Sequence, residues 1–353
     1  MKLRLFFLVI FSHNLFAECV PAISEIGLPY DIKTGRYHRV HPSGNYILIS
    51  ASGDYGSSVS LVDISATTTT GIKEAKAYKT PMIDEAYPVE GSWKLFASPN
   101  HTDGMRYYDF KTVLAKEKNA VPVFNDSNHN QYYHSSAELP GSNESLMKFR
   151  TLLWQDSRCA DYEVSYNPDG SVKNTKKGNS YELCKNLNQT LRNPILSKDG
   201  TEVASQDEAG NTVIYKISSN HKCQMDADLG YPTSKVSFSY PDGNSKGKIT
   251  FVGSSTQMIN GVPQLVNGVH LYDRDTKETK FLSKNISDAS YPGMTKDGRV
   301  VFINRNKHTA ITVDPNQLNP DGSIKEDKSK CIQVDNSAGS SLPLPIKPES
   351  TAQ

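Results

Sequence analysis

Apolar residues along this chain come in short runs, roughly four to six residues long, separated by clusters of Gly, Pro, Asn, Asp and Ser. Several runs alternate apolar and polar positions, the two-residue period of a strand with one buried face. No segment sustains a long 3.6-residue apolar period. The pattern predicts many short strands and little helix.

The runs also repeat. Residues 192–205 (RNPILSKDGTEVAS) align with residues 290–303 (SYPGMTKDGRVVFI). Each reads as a strand, an Asp-Gly turn and a second strand, because Gly accepts the positive φ that so tight a turn needs. Looser copies occupy 38–49, 85–96, 136–149 and 236–252. Their turns, at Gly44, Gly91, Asn143, Gly200, Gly243 and Gly298, recur about every 51 residues, a spacing that suits one four-stranded propeller blade. Third strands follow at 59–64, 105–110, 212–217, 269–274 and 310–315, and a fourth is clearest at 279–282. The expectation is an all-β chain: a single β-propeller of six four-stranded blades over residues 18–335. Ring closure should pair a strand near 20–26 with residues 331–334, because closure removes exposed sheet edges.

At this level the chain resembles the TolB-like, PD40-type branch of WD40-like β-propellers. The residues that carry the resemblance are PILSKDG from Pro194, PGMTKDG from Pro292 and HLYDRDTKETKFL from His270. It spans roughly residues 30–335, although the Trp usual before the Ser of the motif is missing and the third repeat lacks Asp-Gly. The resemblance implies a propeller serving as an extracytoplasmic binding platform, and it implies no catalytic residue.

Composition narrows the function classes. The chain has 353 residues, 39 Lys and Arg against 38 Asp and Glu, and a formal charge of +1, which argues against a nucleic-acid footprint. No segment beyond the N-terminus offers the roughly 18 consecutive apolar residues of a membrane-spanning helix. The N-terminus itself reads as a signal peptide, residues 1–17. Lys2 and Arg4 precede an apolar run at 5–11, and Leu15-Phe16-Ala17 resembles a peptidase site. The mature chain is then periplasmic or secreted. Glu18 departs from the small residue that lipidation of Cys19 would need. Residues 336–353, rich in Ser and Pro, form a flexible tail.

An exported chain can hold disulfides. Cys159 and Cys184 flank the 162–181 hairpin and are expected to pair. Ring closure suggests Cys19 with Cys331 as a second pair and leaves Cys223 a thiol. There is no CxxC, no Cys/His cluster of zinc spacing, no HExxH, no GxSxG and no complete P-loop, so no metal and no cofactor is expected. His38 and His41 would face opposite ways on a strand, Asp273 and Asp275 read as a solvated turn, and Trp93 and Trp154 read as packing residues.

Propeller geometry supplies a candidate site. The first strand of each blade lines the channel. The starts of those strands bring Arg36, His38, Glu85, His134, Arg192, Lys235 and Tyr291 towards one mouth, and a second-to-third-strand loop adds Arg305. A long loop at 253–268, holding Met258, Ile259, Val262 and Leu265, is expected on the same face. The cations suit an anionic group, with Arg192 foremost because a guanidinium can grip a carboxylate or phosphate through two parallel hydrogen bonds. The favoured reading is a monomeric binding module for a protein or small-molecule ligand, an anionic one fitting best. The alternative is a hydrolase or lyase in the channel mouth, which would need perturbed carboxylates or histidines in convergence.

Overall fold

The strands form where the apolar runs lie. In this computed structural model the described residues are 22–28, the strands and a few adjoining residues between 37 and 126, and all but a few of 133–325. All except Lys325 belong to one compact unit, Pro21–Ile324. Arg36, His41, Trp93, Trp154, Cys19, Cys331, the signal segment and the tail lie outside the described residues.

Strand β1 is Ile23–Gly27. Strands β2 to β5 are Tyr37–Val40, Tyr46–Ala51, Ser58–Asp63 and Lys76–Lys79, and β6 to β9 are Glu85–Glu90, Lys94–Ser98, Met105–Asp109 and Phe124–Asp126. Strands β10 to β14 are Tyr133–Glu138, Leu146–Leu153, Arg158–Tyr166, Val172–Lys177 and Tyr181–Glu182. Next come β15 to β18, Arg192–Leu196, Glu202–Gln206, Thr212–Ile217 and Cys223–Asp228, then β19 to β22, Thr233–Phe238, Lys248–Ile259, Val262–Asp273 and Glu278–Phe281. The last are β23 to β25, Ala289–Met294, Val300–Asn304 and Thr309–Val313.

The two aligned repeats turn alike, sharing the Gly-to-Ser/Thr hydrogen bond, while the bond that closes each hairpin differs by one residue. In Ser-Lys-Asp-Gly, the amide of Ser197 donates to the carbonyl of Glu202, and that of Gly200 donates to Ser197. In Thr-Lys-Asp-Gly, Thr295 donates to Arg299 and Gly298 to Thr295. Gly200 and Gly298 take φ of 67° and 96°, the left-handed region expected of them.

Strand order follows the repeat. Sheets β2–β5, β15–β18 and β19–β22 are four-stranded antiparallel meanders. A fourth such sheet has the order β1-β25-β24-β23. Strands β6 to β14 form one nine-stranded sheet, because β10 pairs in parallel with β6 through Ser136↔Val89 and Ala137↔Glu90. The expectation of separate four-stranded blades therefore fails at this join, where two inner strands approach closely enough to share a ladder. First strands lie against first strands in cyclic order: β23 on β2, β2 on β6, β6 on β10, β10 on β15, and β19 on β23. Sheets β15–β18 and β19–β22 share a core of Ile214, Val236, Phe238, Ile249 and Phe251. The cycle closes, and the fold is an all-β propeller.

The core lies between sheets. Strands β24 (VVFIN) and β25 (TAITV) are buried on both faces and show no alternation, whereas the outer strand β18 (CQMDAD) is mostly exposed. Ile26 of β1 and Val40, Ile47 and Ile49 pack on Val301 and Ile303 across the β2–β5 and β23–β25 sheets. Closure uses the N-terminal strand, though not with residues 331–334. Strand β1 pairs with β25, Ile23 opposite Val313 through Gly27 opposite Thr309.

The disulfide also differs from expectation. Cys184 bonds to Cys223, with Cα atoms 4.7 Å apart, and Cys159 stays a buried thiol. The register explains this. Cys159 stands opposite Tyr181, and Cys184 lies three residues on, in a left-handed turn (φ 59°) that carries it away from β12 towards the start of β18. The Asn186 side chain clasps Cys223 at both backbone groups, 2.8 Å each, and Tyr181 stacks on His221 at 3.7 Å. The bond thus ties the end of the nine-stranded sheet to the next one.

Candidate functional site

Each first strand in this region starts irregularly. A bulge interrupts the register at Arg192/Ile195 in β15, Ser234/Ser237 in β19 and Ser290/Gly293 in β23, and another interrupts β10 between Tyr133 and Ser135. At three of these bulges a non-glycine residue sits in the left-handed region: Asn193 (φ 47°), Lys235 (φ 53°) and Tyr291 (φ 55°). Such a conformation costs about 1–2 kcal/mol per residue, and it re-aims a side chain out of the strand. Three successive sheets carry it at the same place.

The bulges bring sequence-predicted residues together. The Lys235 Nζ lies 4.9 Å from the centre of the Tyr291 ring, so two neighbouring first strands meet at their starts. Asn193 donates to the Gln206 side-chain oxygen at 2.9 Å, and Gln206 donates onward to the Thr233 carbonyl at 3.3 Å, linking sheet to sheet. Arg192 is pinned by its backbone. Its amide donates to the Ser205 hydroxyl at 2.8 Å, and that hydroxyl donates to the Arg192 carbonyl at 3.1 Å. Its side chain is exposed, and the guanidinium has no ion pair or hydrogen bond among the described residues.

The remaining candidates are placed by backbone alone or stand elsewhere. His38 lies on β2 opposite Ile49, Glu85 on β6 opposite Ser98, and His134 on β10 at the bulge. Arg305 follows β24 in the turn to β25. Its amide donates to the Asp288 carbonyl at 3.2 Å, and its Nε is 3.8 Å from the Asp288 carboxylate. The 253–268 segment is no loop. Strands β20 and β21 pair without interruption from Lys248↔Asp273 to Ile259↔Val262, while β19 reaches only Gly253 and β22 only His270. Residues 254–259 and 262–267 therefore project as a two-stranded ribbon beyond the start of β19, with Val262 55% and Leu265 73% exposed.

Other polar groups are structural. His270 is fully buried between Phe251 and Phe281, ring centres 5.3 and 5.1 Å away. Burial lowers its pKa to about 4 against the opposing effect of the hydrogen bond that Nδ1 donates to the Gly268 carbonyl, so it is neutral. Asp273 caps its own turn by accepting from the amides of Asp275 and Thr276. Arg150 clamps Asp161 through Nε and Nη2, at 2.9 and 3.1 Å, and reaches the Gly200 carbonyl in the next sheet.

Sequence reasoning missed one constellation. Arg274 binds Glu202 at 2.6 and 3.2 Å, Asp226 at 2.9 Å and the Gly247 carbonyl at 3.0 Å. Glu202 and Asp226 come from strands β16 and β18, and Arg274 and Gly247 from turns of the next sheet. The only sequence signal was the Asp-Arg-Asp turn that ends β21. Burial opposes the charge on Asp226, yet its bond to Lys216 and the Lys216 and Arg274 charges hold the carboxyl below the usual range.

No family model matches the chain, and no curated protein matches it. Among solved structures, the chain is similar to a β-propeller domain from Myceliophteria thermophila, at 8% identity and a TM-score of 0.46, over 80% of this chain and 96% of that one. The fold stands on the strand order and the closed cycle, independently of that likeness.

Proposed function

We propose that this chain is an exported binding module of the TolB-like kind, a six-bladed propeller that takes an anionic ligand or an acidic protein segment at the mouth where its first strands begin. The nine-stranded sheet counts as two blades, β6–β9 and β10–β14, because each half keeps its own meander and the two share only a short parallel step. The signal segment 1–17 directs export, and a disulfide such as Cys184–Cys223 suits an oxidising compartment.

The observation that carries the reading is the repeated left-handed bulge. Strain kept at three equivalent positions beside an uncommitted guanidinium is the signature of a surface shaped for a ligand rather than for stability. Binding is favoured over catalysis because the converging carboxylates, Glu202 and Asp226, are both tied to Arg274, and Asp226 is held ionised, the wrong state for a general acid.

The test is calorimetric titration with citrate, inorganic phosphate and a hexaglutamate peptide. At least one should bind saturably, and Arg192→Ala should weaken it about tenfold with unchanged thermal stability. No binding by any probe, or equal binding by the variant, overturns the assignment.

A further inference from the structure

The ribbon of β20 and β21 carries sheet edges that no neighbour uses. The chain enters β19 from the adjoining sheet, where the Thr212 amide donates to the Tyr231 carbonyl at 3.2 Å, and β19 covers β20 only as far as Gly253. On the other side the Leu282 amide donates to the Val269 carbonyl at 2.9 Å, and the Ser283 hydroxyl accepts from the Val269 amide at 3.0 Å. Both backbone groups of Val269 therefore point away from β20. Outward and inward groups alternate along a strand. Leu265 and Asn267 thus turn their amides and carbonyls outward on β21, and Ser254, Thr256 and Met258 do so on β20. Pro263 takes an outward position on β21 and has no amide hydrogen to offer. The β20 edge has no such gap. Among the described residues no strand pairs with it at Ser254, Thr256 or Met258.

This edge lacks the protection that the other edges have. An exposed edge strand is ordinarily kept from pairing with other chains by charge, by proline or by a bulge. The outermost strands β1, β5, β9, β13, β18 and β22 each carry a charged residue, as Lys173, Lys176 and Lys177 do in β13 and Asp226 and Asp228 in β18. From Ile249 to Tyr272 there is no Asp, Glu, Lys or Arg. The β20–β21 ladder also runs without a bulge from end to end. Thr256, in the middle of the open β20 edge, is exposed, and so is Leu265 opposite it.

We propose that this edge is an interface between two copies of the chain, in which β20 pairs antiparallel with β20 of the second copy about a twofold axis at Thr256. The edge is self-complementary. Ser254 of each copy meets Met258 of the other, Thr256 meets Thr256, and the outward groups exchange about six main-chain hydrogen bonds. The two ribbons then form one continuous sheet, with the Leu265 and Thr256 side chains of both copies in a single row across one face. A second copy fits this edge better than a foreign strand does. Selection of a foreign peptide relies on side-chain pockets beside the edge, and the ribbon residues Thr256, Gln264, Leu265 and Asn267 are all exposed. What the ribbon offers is an uncharged strand, which its own copy meets without repulsion. The interface uses none of the mouth's cations and is independent of that reading.

The experiment is sedimentation velocity of the full chain from ~1 to ~200 µM. A dimer should form with a dissociation constant on the order of 10 µM. Thr256→Lys and Thr256→Glu should each raise that constant about tenfold or more, because like charges then meet at the axis. An equimolar mixture of the two variants should restore association as a heterodimer. Thr256→Pro should also abolish the dimer, since it removes the outward amide and leaves the β20–β21 hydrogen bonds intact, as Pro263 does on β21. Leu265→Pro removes the matching amide of the other edge and should leave the dimer unchanged. Position 256 is exposed, and a circular dichroism melt confirms that each variant is folded. A chain that stays monomeric to ~200 µM overturns the proposal. So does parental dimerisation of the singly charged variants, failure of their mixture to associate, or a dimer kept in Thr256→Pro and lost in Leu265→Pro.

Discussion

Single residues expose what closure and burial demand. Gly293, at the β23 bulge, faces Val40 of β2 so closely that a Cβ there would stand 2.9 Å from the Val40 Cβ. Both are backbone-proximal atoms with little freedom to yield, so Gly293→Ala should destabilise by about 1–3 kcal/mol through forced separation of the two inner strands. Urea denaturation measures this, and a neutral result would mean that the strands can part freely. His270 makes a pH-dependent prediction. Its pKa lies at about 4 in the fold against 6.5 unfolded, so above pH 6.5 it is neutral in both states and adds no slope. As pH falls from 6.5 towards 4, only the unfolded chain takes the proton, and stability drops by about 3 kcal/mol in all. His270→Phe should remove that part of the acid loss, seen as a shallower fall in unfolding free energy between pH 7 and pH 4. Identical slopes for both proteins would assign the acid sensitivity elsewhere.

At the level of elements, strands and turns were legible because their causes are local. Period-two runs and Asp-Gly turns act over a few residues, and the matching hydrogen bonds at Ser197–Gly200 and Thr295–Gly298 show them acting twice in one way. Of the candidate site, the sequence placed Lys235 and Tyr291 at the starts of first strands, and there the two side chains meet. What the sequence hid was non-local. Glu202 and Asp226 are 72 and 48 residues from Arg274, with no spacing to announce them. The 254–267 ribbon read as a loop because it lacks a charged or strongly periodic pattern. The disulfide was misassigned because one left-handed residue, Cys184, redirects the chain from its own hairpin to the next sheet. That bond closes a separation of 39 residues, for which chain entropy suggests about 4 kcal/mol. Cys184→Ala/Cys223→Ala should lower stability by up to that amount, whereas Cys159→Ala should leave non-reducing peptide maps unchanged. A map linking Cys159 to either partner in the native protein would contradict the assignment.

For the whole molecule, the decisive contact is β1 on β25. It covers the edge of β25, and it buries Ile26 completely. A chain lacking residues 22–28 should aggregate or lose several kcal/mol, because it gives up a buried Ile and Leu and uncovers the edge of β25 at once. Light scattering and denaturant midpoints check this; a monomeric variant of unchanged midpoint would show that the ring stands without its clasp. The same contact sets a timetable. Glu25 accepts from the Thr309 hydroxyl across 284 residues, so β1 must wait for β25 to be synthesised. Until then the nascent chain holds β1 unmatched, an invitation to proteases and to strands of other chains. A chain arrested before Thr309 therefore advertises its state: β1 stays unpaired until β25 arrives.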